Sequence, residues 1–471
     1  MSPKKSIALL SMAALLALPA LIARFTHLSL SAPETALVSG LAILGASFLL
    51  LWACDAAQAD ISQAMALAVV ALIAVLPEYA VDMYFTWMAG KHPESHYAQY
   101  AVANMTGANR LLIGVAWSLI VFIFYIKTKR PVRIGEDRRL ELLFLAMATV
   151  YAFCIPLKGS LNWFDGIVFL GLYSWYIVLA ARRPCEDSEA QGVAEVLLRL
   201  PQAKRRIATA ALFTFSAVVI GLNAGPFSEG LVGAGKVFHM NEFLLVQWLA
   251  PIASEAPEFI VAITFAIRGQ AGLALGSLLS AKLNQWTLLI GMIPGAYAIS
   301  HGSLQHPIPM NSFQMHEILL TAAQSFLGIV LLATLRLSVW QAMLLLGLFL
   351  GQFAAPGVAS WFPRLLPDGL TGDRIHQVFS LLYITSGITV LANSPHRIRM
   401  LWRGLRPALP LFRPISKDLR TAHCLDCPYR QAAIASRHRG PGAQSAVSGA
   451  AQCTCQTTLP PALPGAAHPR D

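Results

Sequence analysis

The chain has 471 residues, 56% of them hydrophobic and 13% charged, with a formal net charge of +11 and a mean hydropathy of +0.57. That balance excludes an ordinary soluble domain: apolar runs of about 18 to 30 residues, each enough to cross a bilayer as a helix, recur from residue 6 to residue 392. The sequence therefore predicts an all-α, polytopic membrane protein, and the Gly and Pro inside several runs suit helices in lipid better than helices in water.

In chain order, about twelve transmembrane helices are expected, near 6–23, 34–54, 61–89, 97–126, 138–156, 162–181, 206–224, 242–267, 271–299, 315–335, 338–355 and 374–393. The first lies behind Lys4 and Lys5 and has small residues around Pro19 and Ala20, as a cleavable signal peptide would. An uncleaved span is preferred, because keeping it makes the charge topology consistent. Lys127, Lys129, Arg130, Arg133, Arg138 and Arg139 fall after the fourth span. Arg182, Arg183, Arg199, Lys204, Arg205 and Arg206 fall after the sixth, and Arg397, Arg399, Arg403 and Arg406 after the twelfth. Each cluster follows an even number of spans, so all share one side with Lys4 and Lys5. By the positive-inside rule that side is the cytoplasm, which makes this a multi-pass protein of the cell (cytoplasmic) membrane with both termini inside.

From 396 to 471 there are 11 Lys and Arg against 3 Asp and Glu. Such a tail is expected to meet anionic lipid headgroups; no aromatic-basic module points to nucleic acid. After Arg439 it is rich in Gly, Pro, Ala and Ser and should be disordered. Cys424 and Cys427 (C-x-x-C) with Cys453 and Cys455 (C-x-C) are a candidate tetrahedral zinc site, set against the reading as solvated thiols. Cys54, Cys154 and Cys185 read as ordinary residues, and reduced cytoplasmic thiols imply no disulfide framework.

An internal repeat carries the chemistry. Residues 74–82 read AVLPEYAVD and 254–262 read SEAPEFIVA, each with Pro-Glu and an aromatic inside a long span. Downstream lie ANMTGANRLLIG at 103–114 and GSLLSAKLNQWTLLIG at 276–291, both ending in Leu-Ile-Gly. The Pro-Glu motifs fall on the third and eighth spans, and an odd offset makes the two copies cross in opposite directions. That is an inverted repeat, the architecture of many secondary transporters, with a binding site at the midplane. Pro77 and Pro257 are each expected to open their helix, freeing carbonyls that, with Glu78 and Glu258, can coordinate a cation. The plainer reading, a structural glutamate paired with a base, weakens when two carboxylates occupy matching places.

These residues resemble the alpha-repeats of the cation/calcium exchanger superfamily, the sodium/calcium and proton/calcium antiporters. Its two repeats each carry Ser/Thr-x-Pro-Glu followed by Gly-Asn-x-x-Gly-Ser-Asn, and the resemblance covers roughly residues 34 to 355. It implies ten core helices in two inverted five-helix halves, a Ca²⁺ site between the repeat glutamates, and flanking Na⁺ or proton sites. The glutamates carry over as Glu78 and Glu258. Asn104, Gly107 and Asn109 match the first repeat's second motif, and Ser277, Ser280 and Lys282 stand at the corresponding second-repeat positions. The family's Ser/Thr is Val75 in the first copy and Glu255 in the second, its second-repeat asparagine is Lys282, and Arg110 directly follows Asn109. Both bases, deep in their spans, need acidic partners, and Glu78, Glu255 and Glu258 are the obvious ones.

Cation-binding candidates are thus Glu78, Glu258, Glu255, Asn104, Asn109, Ser277 and Lys282, supported by Pro77, Pro257, Asp82, Gly107, Arg110, Ser254, Ser280 and Asn284. Lys282 is expected to act as a built-in cation in place of Na⁺. The expected organisation is an extra helix at 1–33, repeat halves at 34–181 and 206–355 joined by a cytoplasmic linker at 182–205, an extra helix at 356–395, and the tail from 396. The function read from all this is a secondary cation antiporter, exchanging Ca²⁺ or another cation for Na⁺ or H⁺ by alternating access, with no cofactor beyond the transported ions. A cation channel and a membrane-embedded enzyme are the alternatives. No P-loop, H-E-x-x-H or G-x-S-x-G supports soluble-enzyme chemistry.

Overall fold

The computed structural model describes residues 3–60, 75–182, 193–361 and 372–405. The expected tail zinc site at Cys424, Cys427, Cys453 and Cys455, the tail's expected disorder, Cys185 and the start of the expected span 61–89 lie outside the described residues.

Helices α1 (Pro3–Leu15) and α2 (Leu18–Phe25) precede the repeats. The first half contains α3 (Ala32–Ala57), α4 (Leu76–Lys91) and α5 (Tyr97–Leu111), which runs through a π-helical turn (Leu112–Trp117) into α6 (Ser118–Thr128). Then come strand β1 (Val132–Arg133), α7 (Arg139–Ala152), the short α8 (Cys154–Lys158) and α9 (Trp163–Ala180). A five-residue α10 (Ala194–Leu198) precedes the second half. The second half has α11 (Gln202–Val237), α12 (Glu242–Ile267), and α13 (Ala271–Asn284) passing through a second π-helical turn (Gln285–Leu289) into α14 (Ile290–His301). It closes with α15 (Ser312–Leu332), strand β2 (Arg336–Leu337) and α16 (Val339–Trp361). Helices α17 (Gly372–Asn393) and α18 (His396–Trp402) follow. The two π turns occupy matching places in the two halves, and such turns redirect side chains where function needs them.

The halves are inverted. Helix α3 lies antiparallel along α11: Gly230 faces Ala36, Gly233 faces Ala32 and Gly40 faces Phe227. Lipid supplies no hydrophobic drive for helix pairing, so close backbone approach at small residues does that work. Four helix starts share one end of the bundle, capped by Ser31 with Glu34, Asn162 with Asp165, Asn241, and Asn311 with Gln314. At the other end the basic residues gather. There Val132 pairs with Leu337 in the β1–β2 ladder, Lys127 donates to the Ile267 carbonyl at 2.6 Å, and Arg397 donates to Val330 at 2.8 Å. Asp60, past the end of α3, accepts both Arg205 Nε at 2.6 Å and Nη2 at 2.7 Å, and that guanidinium holds its carboxyl below the usual carboxylate range.

Among the described residues nine helices are long and apolar enough to cross a membrane, where twelve were expected. Part of the expected span 61–89 is not described, and the helical run from Ala271 to His301 carries Lys282, Asn284 and Gln285. The segment expected at 338–355 appears as the shorter apolar stretch Val339–Ala355.

The prolines act differently from the expectation. Pro77 does sit in the first turn of α4, but Pro257 lies inside a continuous α12. A proline removes one N–H and crowds the previous turn, yet neighbouring groups can absorb the loss. The carbonyl that loses its donor at Pro257 is that of Ala253; the Ser254 hydroxyl bonds the turn before it, at Ala250 (3.2 Å) and Pro251 (3.3 Å). Two other prolines expose carbonyls that are used. Pro226 leaves Leu222 without its i+4 donor, and Arg24 Nη1 donates there at 3.2 Å. Pro251 likewise frees the Gln247 carbonyl, and α5 packs so closely on it that a Cβ at Gly107 would lie 1.9 Å from that oxygen.

Candidate cation site

Glu78 stands in the first turn of α4 and Asp82 one turn further on; α12 carries Glu255 and, one turn nearer the basic end, Glu258. Glu78, Asp82 and Glu255 are buried, and Glu258 is half-buried. The strongest electrostatic neighbour of Glu78 is Glu255 from the opposite half, followed by Asp82 and Glu258. Gln285, the first residue of the second π turn, joins the pair: its Nε2 donates to Glu255 Oε1 at 2.7 Å, and it lies within electrostatic range of Glu78. Asn104 Nδ2 donates to Asp82 Oδ1 at 2.8 Å. Tyr79 OH donates to Asn284 Oδ1 at 2.7 Å, linking the halves a second time.

Glu78 Oε1, Asp82 Oδ2, Glu255 Oε2, Asn104 Oδ1 and Gln285 Oε1 are all buried without a hydrogen-bond partner among the described residues. Buried polar atoms in native proteins are almost always satisfied, so these five acceptors can take a cation, protons or ordered water. Several oxygens, with carboxylates among them, suit a hard divalent cation such as Ca²⁺.

Lys282 is fully buried on α13 and does not touch a carboxylate of the described residues. Its Nζ donates to Asn109 Oδ1 at 2.7 Å and to the Asn109 carbonyl at 3.2 Å, and it lies over the Trp286 ring at 4.5 Å. Glu255 and Glu78 remain within its electrostatic range. The base is thus held by the amide of the opposite repeat rather than in the direct ion pair expected for it.

Arg110 corrects the expectation more sharply, since its partner is none of the three site glutamates. It pairs with Glu317 on α15, whose Oε2 also accepts Gln247 Nε2 at 2.8 Å and Thr106 Oγ1 at 3.2 Å. Successive residues on a helix point about 100° apart, so Asn109 can face the site while Arg110 faces away from it. The remaining candidates divide. Ser254 is turned into its own helix, Ser280 Oγ bonds Arg138 Nη1 at 3.1 Å towards the basic end, and Ser277 is exposed.

Sequence reasoning passed over Gln285 and Asp55. Asp55 sits half-buried at the basic end of α3, and its neighbour Cys54 lies within electrostatic range of both Asp55 and Glu258. A signal for the Glu78–Glu255 pairing was present: Glu78 precedes the Leu112 of its Leu-Ile-Gly by 34 residues, and Glu255 precedes Leu289 by the same 34.

The pattern that defines the sodium/calcium exchanger protein family matches residues 32–182 and 208–355, the two halves described above. The crystal structure of an H⁺/Ca²⁺ exchanger, CAX, is 40% identical, covers 87% of this chain and 100% of its own, and superposes with a TM-score of 0.80. A sodium-calcium exchanger, NCX_Mj, is 19% identical over 69% of this chain and 98% of its own, with a TM-score of 0.46. No curated protein sequence matches. The chain belongs to the sodium/calcium exchanger family of the cation/calcium exchanger superfamily: it is a polytopic ion transporter and not an enzyme.

Proposed function

We propose that this exchanger moves Ca²⁺ against protons by alternating access, with Glu78 and Glu255 as the shared cation and proton site. The observation that carries the reading is the pair itself. Two buried carboxylates from opposite halves stand within electrostatic range of each other, Gln285 donates to one of them, and each keeps one oxygen without a partner among the described residues. Such a pair needs either one divalent cation or protons between its members, which makes the two occupants mutually exclusive. Mutual exclusion is the requirement for exchange. Asp82 stands one turn from Glu78 towards the capped end, and Glu258 one turn from Glu255 towards the basic end, so the carboxylates form steps along the bundle.

Protons are favoured over Na⁺ for two reasons. The family's Ser/Thr hydroxyl is absent at Val75, and Lys282 occupies the place of an ion-binding asparagine. The ammonium held on Asn109 has Glu255 and Glu78 within its electrostatic range, so it lowers the negative charge that a bound Na⁺ would have to balance. The 40% identity to a protein described as an H⁺/Ca²⁺ exchanger supports the same choice. The two halves rock about the site, which opens alternately to either end. The basic end faces the cytoplasm of a cell membrane, by the positive-inside rule, and the basic tail meets anionic lipid there. The deciding experiment is Ca²⁺-driven proton movement in sodium-free proteoliposomes. Passive Ca²⁺ flux without proton counter-movement would mark a channel, and movement that requires Na⁺ would mark a sodium exchanger.

A further inference from the structure

Outside the carboxylate site the bundle buries a second charged cluster, and part of it comes from a helix beyond the exchanger repeats. Helix α17 begins at Gly372, after the last family-matched residue, 355. It places His376, 8% exposed, with Nε2 3.1 Å from Glu317 Oε1. The other carboxylate oxygen, Oε2, takes Arg110, Gln247 Nε2 and Thr106 Oγ1. Glu317 and Arg110 are each 1% exposed.

The donors show what Glu317 does. Thr106 and Arg110 lie on α5, the helix of Asn104 and Asn109; Gln247 lies on α12, the helix of Glu255. Glu317 therefore clamps one helix of the first half to one of the second, at the level where Gly107 meets the Gln247 carbonyl. Any rocking of the halves that separates α5 from α12 has to break this clamp. Three of its four donors have a fixed protonation state in the physiological range, and His376 alone can change.

We propose that His376 is a proton-sensing positioning residue: a proton arriving from the capped end of the bundle charges His376 and releases the α5–α12 clamp for exchange. The proposal rests on the proton-coupled reading above. A neutral imidazole donates one hydrogen bond to Glu317 Oε1 and leaves the Arg110 pair balanced. The imidazolium adds a positive charge, competes with Arg110 for the single carboxylate, and repels Arg110 across it. In a buried pocket that competition weakens the bonds on Oε2, which are those holding α5 and α12. Location supports the direction of entry, since α15 and α17 both start at the capped end, and His376 and Glu317 lie in their early turns.

Among the described residues, titratable and charged groups face His376 from three helices. Helix α15 brings Glu317 and His316, whose Nε2 lies 2.8 Å from Gln377; α5 brings Arg110. Its own helix brings Arg374 and Tyr383, and Tyr383 is within electrostatic range of Arg110. Helix α16, packed along α17, contains no titratable residue, and Arg397 of α18 bonds Val330 and Leu331 at the far end. Phe313 covers the imidazole with ring centroids 4.8 Å apart.

The test uses the full chain in oriented proteoliposomes, with Ca²⁺-driven proton movement recorded while pH is varied on each side separately. His376→Gln keeps a donor to Glu317 without a titration; His376→Phe keeps a flat ring beside Phe313. Either folded variant should lose the response to pH on the capped side, with the slope of log rate against that pH falling by up to about one, while the response on the basic side stays. A folded variant with the wild-type profile on both sides overturns the proposal. Histidine-ring NMR of the wild-type chain needs no variant, and an imidazole midpoint should shift when Ca²⁺ is added, because linkage is reciprocal. No Ca²⁺-dependent midpoint overturns it as well. Absence of proton movement in the wild type removes the proton-coupled reading and this proposal together, whereas unchanged profiles with intact wild-type exchange remove this proposal alone.

Discussion

Gly107→Ala is the smallest change that should disable exchange without touching a charged group. The added Cβ would lie 1.9 Å from the Gln247 carbonyl oxygen, whereas real Cβ contacts essentially never fall below 3.0 Å. Its neighbour is backbone, so no side-chain rotation relieves the clash, and α5 must move from α12 by more than an ångström. Overpacking of this kind costs about 1–3 kcal/mol in a buried interface. The functional cost should be larger, because α5 carries Asn104 and Asn109 within one turn of Gly107 and α12 carries Glu255 two turns from Gln247. A displacement of about 1 Å at a positioned site lowers rates on the order of 100-fold. Thermal unfolding in detergent, followed by tryptophan fluorescence, reads the first effect; Ca²⁺ uptake by proteoliposomes reads the second. The expected result is a modestly destabilised, folded protein that transports at a few per cent of the wild-type rate or less. Wild-type stability together with wild-type transport would refute the close packing of α5 on the carbonyl freed by Pro251.

Two further outcomes can be checked directly. Lys282→Asn restores the family residue, removes the ammonium held by Asn109, and should make exchange sensitive to Na⁺ or move its pH optimum by about one unit; rates measured across a Na⁺ and pH series that match the wild type would leave Lys282 a structural residue. Single cysteines replacing Arg133 and Glu94, on a background lacking the native thiols, should be labelled from the cytoplasmic and the outer side respectively, and labelling of 133 but not 94 in intact cells would reverse the proposed orientation.

The sequence exposed those parts of the site whose cost is visible in one dimension. Glu78, Glu255 and Glu258 stand out because a carboxylate in an apolar span is expensive unless it is used, and the repeated Pro-Glu pointed to an inverted pair of halves. The helical fold followed from the same runs of apolar residues, and so did the gathering of basic residues at one end. Which glutamates face each other was less legible. The Pro-Glu alignment matched Glu78 with Glu258, whereas in the folded chain the strongest electrostatic neighbour of Glu78 is Glu255, in keeping with their equal spacing to Leu-Ile-Gly. Arg110 shows a deeper limit. Its need for an acid was plain, but the acid is Glu317, which sits near a helix start beside polar residues and looks like an interfacial side chain until α17 covers it. That burial is made by helices far apart in the chain, and no local pattern encodes it. Pro257 did not break its helix either: α12 runs on from Glu242 to Ile267 with Pro251 and Pro257 inside it.

Glu78 and Glu255 as one site, alternately occupied by Ca²⁺ and protons, is the central claim. The measurement that tests it most directly is proton release driven by a Ca²⁺ gradient in sodium-free proteoliposomes, compared among the wild type, Glu78→Gln and Glu255→Gln. Each substitution keeps the size of the side chain and removes the charge, so the protein should fold and proton movement should fall to the level of empty vesicles in both variants. Wild-type proton movement in either folded variant would contradict the claim.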